Sequence, residues 1–243
     1  MSHSKTSHEA KFVTGDLTKH IITMSLTSAI GFVALFAVDL ADMLFISMLG
    51  IDELAAAIGF AGTILFMTTS ISIGMAIAGG AMVARSLGEN KPKVATELLT
   101  HVLMIGVVFA AIFASVIYLN LYGLTALIGA TGNTQELAVS YLKILIPSMP
   151  IMLVGIVASA ALRSHGAARL SMVVILVAGV VNAILDPIFI FTLKMGLDGA
   201  AWASVVSRIA MAAVAVWYIV RRYEGFSGLS FMAIKRDLKP IAA

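Results

Sequence analysis

The stretch VVNAILDPIFIF, Val180 to Phe191, is an apolar run broken by Asn182, Asp186 and Pro187. It sits inside a longer apolar segment at about 170–193, and about 20 helical residues are enough to cross the hydrocarbon core of a bilayer. Five other runs, at about 21–49, 54–83, 98–124, 137–161 and 200–220, meet the same length requirement. The 243 residues are 60% hydrophobic and 12% charged, with a mean hydropathy of +1.02. An average soluble domain is about 25% charged. The sequence therefore predicts an all-α membrane protein with six transmembrane helices. There is no Cys, which excludes disulfides and thiolate metal sites. Residues 1–20 are polar and lack a short apolar core followed by a small-residue cleavage site. The first apolar segment is thus expected to stay in the mature protein.

Thirteen of the sixteen Lys and Arg fall in alternate connections. Lys5, Lys11 and Lys19 precede the first run; Arg85, Lys91 and Lys93 follow the second. Arg163 and Arg169 lie between the fourth and fifth, and Arg221, Arg222, Lys235, Arg236 and Lys239 follow the sixth. The intervening connections hold a single Lys, Lys194. By the positive-inside rule this pattern predicts both termini cytoplasmic, and an integral protein of the plasma (inner) membrane is expected. The basic excess then serves topology and not nucleic acid, so membrane lipid is the expected surrounding partner. The expected organisation is a cytoplasmic arm at 1–20, a six-helix lobe at 21–223 and a cytoplasmic tail at 224–243. RDLKPIAA, from Arg236, echoes GDLTKHII, from Gly15, where the first span begins. The echo fits one of two parallel repeats, a known transporter plan, with the tail leading toward a second lobe.

Charges at membrane depth cost at least about 2.5–3.5 kcal/mol each, so they face a protein interior or a water-filled cavity. Asp39, Asp42, Lys143, Asp186 and Arg208 are the candidates. At 1.5 Å per residue, Asp42, Asp186, Arg208 and Lys143 lie about 12, 15, 15 and 10 Å inside the same ends of their helices. Residues three or four apart share a helix face, which pairs Asp39 with Asp42, Asn182 with Asp186 and Ser204 with Arg208. Three helices thus offer polar faces at matching depth, and one shared site is expected. Pro187 should free the carbonyl of Ala183 and bend its helix beside Asp186. A purely structural pairing of Asp186 with Arg208 is the competing reading. It leaves a surplus, since three acids face two bases. Pro147 and Pro150 are expected to kink the fourth span, the small residues to allow close helix packing, and the 14 Met to fill the core. Glu97 and His101 read as a cap and interface pair.

Several stretches resemble the multidrug and toxic compound extrusion transporters. VDLADMLFISMLGIDELAA (Val38–Ala56) is similar to their first-helix signature and ARSLGENKPKVA (Ala84–Ala95) to their loop between helices 2 and 3. NAILDPIFIF and GLDGAAWASVVS (Gly196–Ser207) are similar to helices 5 and 6. The resemblance implies the amino-terminal lobe of a cation-coupled (proton or sodium) efflux antiporter of organic, often cationic, compounds. It implies a cation or sodium site at Asp42, Asn182, Asp186 and Ser204, with Asp39 added here as a candidate on the face of Asp42. Tyr141 matches a pocket tyrosine, and Arg208 is taken with it as a candidate for the substrate pocket. Asp39, Lys143 and Arg208 are charges beyond the family pattern, Ser204 stands where Thr is usual, and MSLTSAIG lacks the Pro often found near the start of helix 1. Expected partners are a small organic substrate and a second lobe or second copy of the chain. No cofactor is expected beyond the coupling ion. The alternatives are a lipid or glycolipid flippase of related architecture and a truncated, non-transporting bundle. No enzyme activity is expected, because the Gly-x-Gly-Asp context of intramembrane aspartyl proteases is absent around each Asp.

Overall fold

The computed structural model describes residues 17–223 and 225–226, nearly all of them helical. The helices are α1 (Leu17–Ser47), α2 (Asp52–Gly88), α3 (Pro92–Leu119), α4 (Leu121–Leu127), α5 (Gly132–Leu145), α6 (Met149–Ser164), α7 (Ala168–Pro187) and α8 (Gly196–Arg222). Six spans are long and apolar enough to cross a membrane: α1, α2, α3, α5 with α6, α7 with the turn after it, and α8. Lys5 and Lys11 of the expected arm lie outside the described residues. So do Lys235, Arg236, Lys239 and the RDLKPIAA echo in the expected tail.

Two spans are broken where proline removes a backbone donor. A 3₁₀ turn, Ile146–Ser148, separates α5 from α6 at Pro147, and α7 ends at Pro187 in a π-helical turn, Ile188–Thr192. That turn closes through Leu193 N–H donating to Ile188 O at 2.8 Å. The expected bend at Pro187 thus takes the form of a wider helical turn. π-turns are rare and concentrate at functional sites.

One feature of the third span was not foreseen. The apolar run to residue 124 divides at Asn120, and the short helix α4 follows it. The Asn120 side-chain amide donates back to Val116 O at 2.8 Å, the competition with backbone bonding that makes Asn a poor helix-interior residue. Gln135 Nε2 then fixes α4 by donating to Tyr122 O at 2.8 Å and Thr125 Oγ1 at 3.2 Å.

The α5–α6 span is central: 72% of its most apolar window is buried, against 6% for α1. It contacts α2, α3, α7 and α8, while α1 packs chiefly on α7. One apolar cluster, with Ile46, Leu121, Leu142 and Ile190, fills the end of the bundle bearing α4. A second, with Val83, Leu99, Leu153 and Ile219, fills the end bearing the α2–α3 and α6–α7 connections. Lipid is as apolar as Leu, so helices associate here through close packing of small residues. A Cβ on Gly155 would sit 2.6 Å from Met211 Cε, and one on Gly199 would sit 2.8 Å from the backbone carbonyl of Phe189. Gly199 thereby lets α8 lie directly against the π-turn.

Candidate functional site

Three helices meet beside that turn. α1 supplies Asp42, α7 supplies Asn182 and Asp186 one turn apart, and α8 supplies Ser204. All four are buried, Asn182 and Asp186 completely. Ser204 Oγ donates to Asp42 Oδ2 at 2.8 Å and accepts from Asn182 Nδ2 at 3.3 Å. The same amide nitrogen donates to Asp186 Oδ1 at 3.4 Å. A fifth residue joins from α5: Tyr141 Oη donates to Asp42 Oδ2 at 3.2 Å. Tyr141, expected to match a pocket tyrosine, is only 3% exposed, and its hydroxyl bonds the carboxylate.

Three oxygens of this cluster are buried without a hydrogen-bond partner among the described residues: Asp42 Oδ1, Asn182 Oδ1 and Asp186 Oδ2. An unmet buried polar atom costs about 1–3 kcal/mol, more when charged. All three are acceptors when the carboxyls are ionised, so a positively charged species answers the shortfall. Oxygen donors of this kind suit a hard cation or a proton. No group of three or more His, Cys, Asp or Glu suited to a metal occurs among the described residues, so two carboxylates, an amide and a hydroxyl are the donor set.

The structure does not bring every candidate into this cluster. Asp39 makes no hydrogen bond or ion pair with it among the described residues. Its carboxylate, exposed, lines a cleft of about 40 Å³ with Thr69, Ser204, Ser207, Arg208 and Met211. Arg208 does not pair with Asp186: Nη1 donates to Ser148 Oγ at 2.7 Å and Leu145 O at 3.2 Å, at the 3₁₀ turn. The ion pairs among the described residues are Arg85–Glu89 and Lys91–Glu89, both in the α2–α3 connection. The reading in which Asp186 and Arg208 merely neutralise each other is therefore not what is found. Lys143 is exposed and holds its ammonium 5.6 Å from the Tyr122 ring centroid on α4, a long side chain carrying its charge away from apolar surroundings.

The MatE family model matches residues 27–188. A FAD transporter of Shewanella oneidensis is 26% identical over 215 residues, 87% of this chain and 47% of that protein. The multidrug export protein MepA of Staphylococcus saprophyticus is 26% identical over 216 residues, 88% of this chain and 47% of that protein. The chain thus spans about half the length of the curated relatives it matches. Among solved structures, the bent form of the Vibrio cholerae MATE transporter VcmN superposes with a TM-score of 0.85 at 28% identity. That match covers 92% of this chain and 51% of VcmN. Two thirds of the sequence matched by one family model, and a six-helix bundle laid over half of a solved transporter, agree: this chain is an integral membrane protein of the MatE family.

Proposed function

We propose that the protein is one six-helix lobe of a cation-coupled exporter, and that Asp42, Asn182, Asp186 and Ser204 bind the coupling ion, a proton or sodium. The observation that carries this reading is the trio of buried, unmet oxygens contributed by α1 and α7. Ion occupancy satisfies them and so draws α1 toward α7 and α8. An ion can shift a conformational equilibrium only through such a difference in affinity between states. The π-turn after Pro187 supplies a place where α7 can adjust, since its hydrogen-bond register is already widened there.

The exported species is an organic compound, in keeping with the multidrug export and FAD transporters among the relatives. Alternating access in a lobed transporter rocks one repeat against the other, and the thinly buried α1 offers its face to a second lobe or second copy. The clustering of Arg85, Lys91, Lys93, Arg163, Arg169, Arg221 and Arg222 at one end of the bundle supports a cytoplasmic assignment for that end, and with it for both termini.

The test is transport in proteoliposomes by the assembled exporter carrying Asp186→Asn. The substitution keeps the shape and removes the charge, so export driven by a proton or sodium gradient is expected to vanish while the protein still inserts. Undiminished gradient-driven export sinks the proposal.

A further inference from the structure

Three helical turns carry the cleft, and each lies inward of the cation cluster along its own helix. Asp39 is three residues before Asp42 on α1, which runs toward the α4 end of the bundle. Ser207 and Arg208 are three and four residues after Ser204 on α8, which runs the opposite way. Gly179 and Ala178 on α7 also line it, with Thr69 from α2 and Met152 from α6. Of the four residues proposed for the ion, only Ser204 also lines the cleft.

Two charges of opposite sign face this cleft: each feels the other's field, yet no ion pair joins them among the described residues. Asp39 has no hydrogen-bond or ion-pair partner among the described residues, although its surroundings are those of a membrane span. Arg208 is held by one nitrogen only. Nη1 is anchored on Ser148 Oγ and Leu145 O, and among the described residues no bond engages Nε or Nη2, which leaves three of the five guanidinium protons unspent. An anchored guanidinium is a fixed fork that suits carboxylate or phosphate oxygens. A carboxylate and a guanidinium at membrane depth persist when they face water or a ligand.

We propose that this cleft recognises an amphoteric organic molecule, presenting its protonated amine to Asp39 and its carboxylate or phosphate to Arg208. This rests on the exporter reading above and narrows its substrate class. At about 40 Å³ the cleft admits a few waters, and so the charged head of a ligand, with the remainder lying past the exposed Asp39 at its mouth.

The probe is Nε-dansyl-lysine, which carries a free amine and carboxylate on one carbon, compared with its methyl ester, cationic only, and its Nα-acetyl derivative, anionic only. Fluorescence binding to the intact protein in nanodiscs, without an ion gradient and in sodium-free buffer at fixed pH, reads the cleft alone. The parent compound is expected to bind on the order of tenfold more tightly than either derivative, one charge-assisted contact being lost in each. Asp39→Asn is expected to abolish the advantage over the acetyl derivative and keep that over the ester. Arg208→Gln is expected to do the reverse. Asp39 makes no hydrogen bond or ion pair among the described residues, so Asp39→Asn keeps the test decisive even if Arg208→Gln, which also loses the anchor on Leu145, fails to fold. Equal binding of the three probes, no binding of any, or unchanged preference in Asp39→Asn overturns the proposal. Ion-driven export lost in Asp186→Asn can stand whatever this experiment gives, and the reverse also holds.

Discussion

Replacing Gly199 by Ala tests whether the π-turn and α8 are in contact because the site requires it. The added Cβ would lie 2.8 Å from both the carbonyl carbon and oxygen of Phe189 and 3.0 Å from Ile190 N. Ordinary contact begins at 3.4 Å, so about 0.6 Å must be found, and the obstacle is backbone. Overpacking of this kind costs about 1–3 kcal/mol. Ser204 lies five residues along α8, and its bond to Asp42 is 2.8 Å long. A shift of that size, if directed along this bond, would take it to about 3.4 Å, past the usual limit of about 3.0 Å for a hydroxyl bond. Gly62→Ala is the control, since a Cβ there meets nothing within 4 Å and gains only helix propensity, up to about 1 kcal/mol. Gly155→Ala is an intermediate case, since its Cβ meets the Met211 side chain at 2.6 and 3.0 Å and backbone only at 3.4 Å. Unfolding free energies from titration with denaturing detergent in mixed micelles should rank Gly199→Ala below Gly155→Ala and Gly62→Ala, by about 1–3 kcal/mol relative to the latter. Equal stability of Gly199→Ala and Gly62→Ala would refute the reasoning.

Tyr141→Phe keeps the packing and removes a donor to Asp42. The loss expected for a hydrogen bond to a charged group is about 1.5–3 kcal/mol, read in the same unfolding assay, and a change below the assay error would contradict it. Glu89 provides a pH test outside the membrane. Hydrogen bonds from Lys91 and then Arg85 hold its carboxyl below the ordinary glutamate range. Its contribution to stability is therefore present above the ordinary value and lost as pH falls through the lower, folded one. A carboxyl NMR titration should show a midpoint that rises in Lys91→Met and in concentrated salt, where exposed charges are screened; an unmoved midpoint refutes the assignment.

The membrane class and the six spans were legible because apolar runs and basic connections are composition signals. The grouping of Asn182 with Asp186 was legible because four residues is close to one helical turn. Asp39 shows where that logic stops. Three residues rotate by about 300°, leaving its side chain about 60° from that of Asp42, enough to turn it into the neighbouring cleft. Lys143 escaped because depth was counted at the backbone, whereas its ammonium reaches back to Tyr122. The placement of Tyr141 needed tertiary structure. A helix apolar toward both lipid and neighbours gives little sign of which face is inward, and nothing near Tyr141 in sequence indicates Asp42. The division at Asn120 had a local signal, the Asn itself, which a long apolar run on both sides concealed.

The central claim is that two carboxyl groups and an amide, short of partners, hold one cation. Difference infrared spectroscopy of the membrane-embedded protein, recorded on adding sodium and on changing pH, tests it directly. The account predicts a carboxyl band that responds to one of these ions and disappears in both Asp42→Asn and Asp186→Asn. A spectrum insensitive to both ions, or a response that survives in either variant, would contradict it.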